Sequence, residues 1–326
     1  MAQQQTRKNR KQQKARKQKT AKGGRTPSFK LNCHPANKNT VHKDTCYNDA
    51  AILQIRDVYN KSHSDQITSN KPSTIYEELR KRLTHCTKED CWIDLLSDPN
   101  VRREFDEMLF APDSPKEWKS NPDSWLSNWD IRDVLKQYEV SHPHFKLLGP
   151  SSIDYDTILH DGKCVWEDIC RLSLKDLLAR NKRKLGVVFN LDKHNQPGSH
   201  WVSLFIDCDQ KFILYYDSAL NTMPSEVNRL IGEVVQQGKY LEKPIHFEVI
   251  KNNYRHQSTN TECGMYCLFF IITLLTEKLH KHAHPEIYGG GKKYRKLTKK
   301  QKINIFTKPG LNDGLMKLFR SIYFNL

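Results

Sequence analysis

Two polar residues flank a predicted hairpin in a way that could activate a nucleophile. His200 directly precedes the strand-like segment Trp201–Asp207, and Asp217 directly follows the strand-like segment Phe212–Tyr216. An antiparallel hairpin returns the chain beside its start, so the end of the second strand can lie close to the beginning of the first. A carboxylate beside an imidazole orients that ring as a base for the proton of a thiol.

Cys263 is the thiol best placed for this chemistry. It lies where a polar loop meets a long apolar segment, which predicts the first turn of a buried helix. The N–H groups and the positive dipole end of a helix start favour a thiolate over a thiol. Gln257, six residues earlier, carries an amide that could join the Cys263 N–H in an oxyanion hole. Taken singly, each residue is more often structural, and only the ordered set of His, Asp, Gln and Cys is specific.

This ordered set resembles the superfamily of cysteine peptidases that includes the adenovirus protease and the SUMO proteases. The N-terminal motifs Cys33-His34-Pro35, Thr45-Cys46-Tyr47 and Cys86…Cys91-Trp92 are similar to the region before the protease domain in large DNA virus members of this superfamily. The resemblance of the ordered set covers about residues 118–277. It implies that His200 is the base and Cys263 the nucleophile. Asp217 would orient the base, and Gln257 would stabilise the oxyanion. It also implies an α+β fold, with a mixed central β-sheet packed by helices. The near-helical spacing of apolar residues between 50 and 58 adds the prediction of a small N-terminal helical region.

A second segment, residues 125–131 (Trp-Leu-Ser-Asn-Trp-Asp-Ile), resembles the Trp-Leu-x-Asp/Asn-x-x-Ile element of SUMO proteases. In that family, its Trp and the Trp after the catalytic His form a narrow tunnel around a Gly-Gly segment of the substrate. Trp125, Asn128 and Trp201 are therefore expected to bind substrate. Two indole faces leave space only for residues without side chains, which selects glycine by steric exclusion. The alternative is that both tryptophans are ordinary core aromatics.

The positive charge of the chain belongs to two segments. The sequence has 53 Lys and Arg against 37 Asp and Glu, a formal charge of +16. Residues 1–26 hold ten basic residues and no acidic one, and residues 278–308 hold ten basic residues with one Glu. The remainder is slightly acidic. We expect residues 1–26 and 292–302 to attract nucleic acid without sequence preference, with DNA as a candidate activator. A targeting signal or a solubilising tail is the alternative.

The composition shifts predict five parts. They are a basic disordered arm (1–28), a mainly helical region (29–115), the catalytic domain (116–278), a basic Gly-containing loop or tail (279–308) and a C-terminal helix or segment (309–326). Helices are predicted over 127–138, with Trp129 in the apolar face, and over 224–237 and 264–278. A capping box is predicted at Thr74 and Glu77. The longest apolar run, eleven residues at 265–275, is too short to span a membrane, which needs roughly 20.

The nine cysteines do not match a disulfide scaffold, because they are odd in number and widely spread; this favours free thiols in a reducing compartment. No secretory signal is expected, because the Gln-, Lys- and Arg-rich start of the sequence lacks an apolar stretch. A zinc site is a less favoured alternative, since the gaps between its candidate ligands are irregular. Those ligands are Cys33, His42, Cys46, Cys86 and Cys91. The histidines at 280, 282 and 284 are expected in a solvated segment. No metal or small-molecule cofactor is predicted.

Two glycine runs, at residues 22–25 and 287–291, are candidate self-processing sites. The second resembles the adenovirus-type pattern, with an aliphatic residue two positions before Gly-Gly. Flexible linkers are the favoured alternative, because linkers need glycine for the same conformational freedom.

The leading hypothesis is a cysteine endopeptidase that cuts after Gly-Gly and matures capsid or core precursors in the virion and the viral factory of the host cytoplasm. A protease for SUMO or ubiquitin-like modifiers is the first alternative. A non-catalytic nucleic-acid-binding virion protein on a protease fold is the second.

Overall fold

The structure, a computed structural model, describes residues 28–280, 283 and 296–326. Its contacts divide the chain into two compact units. The smaller contains Val41–Arg102, and the larger contains Asn32–Thr40 and Arg103–Leu326. Several sequence predictions lie outside the described residues. These are residues 1–26 of the basic arm, both glycine runs, residues 292–295, and the histidines at 282 and 284.

Helices dominate the smaller unit. They comprise α1 (Asp49–Ser62), α2 (Pro72–Arg82), a 3-10 helix (Glu89–Leu95) and the start of α3 (Pro99–Leu109). The helix α2 begins at Pro72, with no side-chain cap. Proline suits the first helical position because the missing N–H would have no partner there. The predicted capping box is therefore wrong, since Thr74 and Glu77 already lie inside the helix.

A mixed sheet forms the centre of the larger unit. Its five strands, counted over the described residues, are β1 (Phe145–Ser152), β2 (Lys184–Asn190), β3 (Trp201–Asp207), β4 (Phe212–Tyr216) and β5 (Glu248–Lys251), in that spatial order. The outer pairs β1–β2 and β4–β5 are parallel, and the inner pairs are antiparallel. The predicted α+β fold with a mixed sheet is confirmed.

Helices cover both faces of this sheet. They are α4 (Asn128–Ser141), α5 (Glu167–Cys170), α6 (Leu174–Ala179), α7 (Ser225–Lys239), α8 (Cys263–Thr276), α9 (Lys299–Thr307) and α10 (Asp313–Tyr323). Residues of α4, α8, α9 and α10 share one core cluster, and residues of α5, α6 and α7 share the other. Side chains of β3 alternate between them: Val202 and Leu204 lie in one, Trp201 and Phe205 in the other. The strand is therefore buried along its whole length.

The apolar helix α8 lies in the larger core. All of its residues from Cys263 to Leu275 are buried. In the part of the chain that the structure describes, no helix is long and apolar enough to cross a membrane.

Trp129 on α4 does not join the core as predicted. It is 58% exposed, and the guanidinium of Arg132 lies 4.3 Å from its ring. The core-facing stripe of α4 is instead formed by Ile131, Val134 and Leu135.

The cysteine prediction needs correction. Cys86 is bonded to Cys91, and Cys164 to Cys170, across separations of five and six residues. Such local pairs do not need the regular spacing of a disulfide scaffold, so the wide spread of cysteines did not exclude them. Among the described residues, the free cysteines are Cys208, Cys263 and Cys267.

All four cysteines of the alternative zinc set are disulfide-bonded. His85 lies beside Cys86 and Cys91, with the three possible ligand atoms within 4.8 Å of one another, but both sulfurs are in the bond.

Candidate active site

The hairpin of β3 and β4 brings His200 and Asp217 together. In its antiparallel register Ser203 pairs with Tyr216, so the residue before β3 and the residue after β4 lie at the same end. His200 Nε2 is 2.6 Å from Asp217 Oδ1. A carboxylate can only accept, so Nε2 carries a proton and donates it in this hydrogen bond.

Four further hydrogen bonds hold the side chain and backbone of Asp217. Its Oδ1 also accepts from the Ala219 N–H at 2.8 Å, and its Oδ2 accepts from the Asn221 N–H at 2.9 Å. Asn252 brackets its backbone, accepting from the Asp217 N–H at 3.0 Å and donating to the Asp217 carbonyl at 2.7 Å. These bonds leave the carboxylate little freedom to turn, so the imidazole that it holds is oriented as well. Sequence reasoning missed Asn252, which lies just after β5.

The two partners of His200 set its charge. Burial of the ring favours the neutral form, but hydrogen bonds with Asp217 and with the Cys263 thiol outweigh it and raise the pKa of His200 to about 9. Burial also opposes ionisation of Asp217, yet the hydrogen bond with His200 holds the pKa of that carboxyl below its usual value. At neutral pH the ring is therefore an imidazolium between a carboxylate and a sulfur. An imidazolium in this position stabilises a thiolate.

Cys263 is the first residue of α8, as predicted from the change between polar loop and apolar segment. Its N-cap residue, Glu262, makes no capping hydrogen bond with its side chain, so N–H groups of the first turn remain available to an oxyanion. Gly264 allows close packing at the helix start. A Cβ at this position would lie 3.1 Å from the Leu126 Cβ, so only glycine lets Leu126 approach the helix start this closely without a shift.

Gln257 is buried, and its side chain has a defined orientation. The Ser218 hydroxyl donates to Gln257 Oε1 at 2.6 Å, and the Gln257 N–H donates to the Ser218 carbonyl at 2.9 Å. With Oε1 held this way, the amide NH₂ is the end left for an oxyanion. Ser218 was not predicted, although it directly follows Asp217 in the chain. It links the loop of the oxyanion donor to the turn that carries the orienting carboxylate.

The loop between Gln257 and Cys263 is held from the C-terminal helix. Asp313 Oδ2 accepts from the Ser258 N–H at 3.0 Å, the Ser258 hydroxyl at 2.7 Å and the Thr259 N–H at 2.7 Å. Asp313 Oδ1 accepts from the Tyr266 hydroxyl at 3.1 Å. Burial opposes its ionisation, but these bonds, led by that of Ser258, hold the pKa of Asp313 below its usual value. Asp313 was not predicted, since it lies beyond the residues 116–278 assigned to the catalytic domain.

The three residues expected to bind substrate line one cleft. Trp125, Asn128 and Trp201 all border a cavity of about 590 Å³. The Trp201 indole N–H donates to the Leu126 carbonyl at 3.0 Å, which ties the two tryptophan segments together. Trp201 is 6% exposed and Trp125 is 40% exposed. His200 and Cys263 do not border this cavity, but Trp201, which directly follows His200, forms part of its wall.

Two lysines in the predicted nucleic-acid-binding segment 292–302 form ion pairs with carboxylates of the protein itself. Lys302 is fully buried, with Nζ 3.0 Å from Glu277 Oε1 and 3.6 Å from Asp207 Oδ2. Lys296 also pairs with Glu277, at 2.8 Å. Within residues 296–302, Lys300 is exposed. The expectation that Lys302 meets phosphates is therefore wrong, because the fold buries its charge between two carboxylates.

His200 thus lies beside Asp217 and Cys263, and Gln257 is hydrogen-bonded to Ser218, the residue after Asp217. The chain is also similar in sequence to known proteases. Residues 180–307 match the sequence model of the Ulp1 protease family, C-terminal catalytic domain. A protein of Acanthamoeba polyphaga mimivirus that is named as a thiol protease is 30% identical over 172 residues, which cover 52% of this chain and 54% of that protein. The chain thus matches about half of the length of this relative.

A cysteine protease of African swine fever virus (isolate Tick/Malawi/Lil 20-1/1983) is 27% identical over 244 residues, covering 66% of this chain and 85% of that protein. In these matched residues the chain is similar to the SUMO-protease-like superfamily of cysteine peptidases. A crystal structure of the African swine fever virus protease has the same fold, with a TM-score of 0.58 at 20% identity over 90% of this chain and 95% of that one. The matched family region of this cysteine peptidase contains the four residues of the expected catalytic set, whereas Trp125 and the helix α10 lie outside it.

Proposed function

We propose that this cysteine peptidase is an endopeptidase that cleaves after Gly-Gly in capsid or core precursors of a large DNA virus. The observation that carries the proposal is the hydrogen-bonded series Asp217, His200 and Cys263, which lies next to a cleft bordered by Trp125 and Trp201. The thiol and imidazole supply the chemistry of peptide hydrolysis, and the two indoles supply a preference for residues without side chains.

The reaction follows from the roles of the four side chains. The Cys263 thiolate attacks the scissile carbonyl carbon, and the Gln257 amide with the Cys263 N–H stabilises the oxyanion. The oxyanion then collapses, the C–N bond breaks, and His200 gives its proton to the leaving amine. Water next attacks the thioester while His200 takes a proton from it. The carboxylic acid product leaves, and the thiolate–imidazolium pair is restored. Asp217 keeps the ring oriented in each step.

The cleft supports the substrate preference. Trp201 is buried and fixed by its hydrogen bond to the Leu126 carbonyl, so it cannot move away from an incoming chain. Trp125 borders the same cavity. A chain that passes between two aromatic faces loses contact area and gains clashes if it carries β-carbons, so glycine is favoured at these positions.

The viral setting is part of the proposal and is supported by the relatives, which are proteases of a mimivirus and of African swine fever virus. The enzyme would act in the virion and in the viral factory of the host cytoplasm. Its basic arm at residues 1–26 would hold it on the packaged genome, and DNA would raise its activity by concentrating enzyme and precursor. Deleting residues 1–26 should then reduce DNA affinity and any DNA stimulation together. Unchanged DNA affinity would contradict this part of the proposal.

The modifier-protease alternative has one observation in its favour: relatives from several African swine fever virus isolates carry the name SUMO-1 cysteine protease. Peptides with a Gly-Gly-x site, compared with SUMO and ubiquitin C-terminal probes, separate the two. We expect cleavage of the peptides by the parent chain and none by Cys263→Ala, which should keep the melting temperature of the parent. Cleavage of the modifier probes alone would favour the alternative, and activity in C263A would overturn the site assignment.

Self-processing at residues 22–25 or 287–291 can be tested with the same two proteins. Mass spectrometry after incubation should show new termini in the parent and an intact chain in C263A. Intact chains in both proteins would refute self-processing and favour the interpretation of the glycine runs as flexible linkers.

A further inference from the structure

Arg320, on the C-terminal helix α10, contacts the loop that leads to the nucleophile. Its Nε donates to Glu262 Oε2 at 3.0 Å, and its Nη2 donates to Glu262 Oε1 at 3.0 Å. Glu262 is fully buried and directly precedes Cys263. Nη2 also reaches the Thr261 carbonyl at 3.3 Å. The guanidinium therefore holds the last residues before the thiol through both oxygens of a buried carboxylate.

The other end of the same guanidinium holds the segment that leads to the substrate cleft. Nη1 donates to the Pro122 carbonyl and to the Ser124 carbonyl, both at 3.0 Å. Ser124 directly precedes Trp125. The Trp118 ring lies under the guanidinium at 4.4 Å, and its indole N–H donates to the same Ser124 carbonyl at 3.1 Å. A planar group is thus fixed between a carboxylate, backbone carbonyls and an aromatic face.

From these contacts we infer that Arg320 is a positioning residue that sets the distance between Cys263 and the Trp125 wall of the substrate cleft. It joins Glu262, the residue before the nucleophile, to Ser124, the residue before the tryptophan, across 138 positions of sequence. This link adds to the packing of Leu126 against Gly264 on the other side of the same two residues. The inference rests on the proposed function, since it assigns Arg320 a part in seating the substrate. Arg320 lies beyond residue 307, where the family match ends.

Arginine is required here by geometry as well as by charge. A guanidinium presents five N–H donors in a rigid plane, so it can bind a carboxylate with one edge and carbonyls with the other at the same time. A lysine ammonium is a point charge on a flexible stem. Arg320→Lys should therefore keep a cation beside the buried Glu262 while it releases Pro122 and Ser124. This substitution separates the positioning role from the simple need to neutralise a buried carboxylate.

The matched control is Lys317→Gln. Lys317 lies on the same helix, one turn before Arg320, and its Nζ contacts Asp123 at 2.7 Å. Both partners are largely exposed, so K317Q disturbs the same helix and the same 122–124 segment without touching the guanidinium contacts. We expect kcat/KM of K317Q to stay within about twofold of the parent, because exposed ion pairs contribute little.

For R320K we expect kcat/KM on a Gly-Gly peptide to fall at least about tenfold, mainly through KM, because a displaced wall misplaces the substrate. Alkylation of Cys263 by iodoacetamide should stay within about twofold of the parent, since this small reagent does not need the tryptophan wall. Hydrogen exchange at residues 124–126 should be faster in R320K and unchanged in K317Q. If R320K does not fold, the double variant E262Q/R320Q, which buries no unpaired charge, takes its place.

Three outcomes would overturn the inference: kcat/KM unchanged in R320K, hydrogen exchange at 124–126 unchanged, or peptide cleavage and alkylation reduced in parallel. The last would mean that Arg320 serves the fold alone. A parent chain that cleaves no Gly-Gly peptide would count against the proposed function and not against the positioning contacts. Those contacts are then tested by hydrogen exchange in the same pair of variants.

Discussion

Replacing Asp217 with asparagine tests whether this carboxylate controls the charge of His200. The substitution keeps the shape of the side chain, and the remaining amide oxygen can still accept from one of the backbone N–H groups of Ala219 and Asn221. It removes the negative charge that lies 2.6 Å from His200 Nε2. In the parent the pKa of His200 is raised from 6.5 to about 9 in spite of burial. At 1.36 kcal/mol for each pKa unit, this difference favours the protonated ring by roughly 3 kcal/mol.

Asp217 and Cys263 share this effect, so D217N should lower the pKa of His200 by about one unit or more. The proposed mechanism needs the imidazolium to protonate the leaving amine. The alkaline limb of kcat/KM should therefore lie at about pH 9 in the parent and move toward neutral pH in D217N. The maximum rate should also fall, because an amide can hold the ring in the wrong tautomer and no longer stabilises its positive charge.

The assay is kcat/KM of a Gly-Gly peptide as a function of pH, with NMR titration of the His200 ring as a readout independent of turnover. Asp209→Asn is the matched control, because Asp209 is an exposed carboxylate that pairs with Arg183 away from the site. An alkaline limb and a ring titration that stay in place in D217N would refute the reasoning. A shift of equal size in D209N would show that it reflects net charge and not contact.

The same shift predicts how stability depends on pH. Because the folded pKa of about 9 lies above the ordinary value of 6.5, the contribution of His200 is fully present below pH 6.5 and is lost as pH rises through about 9. The free energy of unfolding should thus fall over this window in the parent, by up to roughly 3 kcal/mol. The fall should be smaller in D217N. Urea denaturation at several pH values measures it, and an equal fall in both proteins would contradict the assignment.

The remaining predictions concern residues that sequence reasoning missed or misplaced. Ser218→Ala should lower kcat about tenfold with little change in KM, because the Gln257 amide loses the hydrogen bond that aims it at the oxyanion. Steady-state kinetics on the peptide check this. Lys302→Met should lower the free energy of unfolding by about 3 kcal/mol, since it leaves buried carboxylates short of a cation. Urea denaturation checks this, and DNA affinity should not change.

Controls for these two variants come from the same regions. Gln257→Ala should show the full loss of the donor, about 100-fold in kcat, so S218A must lie between it and the parent. An S218A enzyme with parental kcat would contradict the orienting role. Lys300→Met removes an exposed lysine two positions from Lys302 and should leave stability unchanged within about 0.5 kcal/mol. Equal destabilisation by both substitutions, or a loss of DNA affinity in K302M alone, would contradict the buried-pair account.

Much of the central architecture could be predicted because its signals are local. The strands at 201–207 and 212–216 have the predicted bounds, since short apolar runs between polar turns indicate buried strands. The helix predicted at 264–278 is found at Cys263–Thr276, because a continuous apolar run of that length suits a helix buried on all sides. Trp129 shows the limit of this reasoning: its apolar character favoured the core, but its position on the helix turned it to solvent.

The partners of the site could not be predicted, because each lies far along the chain from the residue that it holds. Asp313 lies 55 residues from Ser258, and Arg320 lies 58 residues from Glu262. On a helix, Asp and Arg are ordinarily surface residues. The spacing along 313–323 puts Arg320 on the apolar face beside Met316 and Tyr323, but no local feature identifies the catalytic loop as the surface against which it packs.

The sequence alone therefore carried the types and the order of the reacting groups, and the periodicities that form β3, β4 and α8. Those features depend on neighbouring residues, so they can be read along the chain. The orientation of each reacting group was decided only by tertiary structure. The amide of Gln257 and the loop before Cys263 are fixed by hydrogen bonds from other elements. The carboxylate of Asp217 is fixed by two nearby backbone N–H groups together with the distant His200. A buried polar group must find such partners, and folding in three dimensions selects which ones it finds.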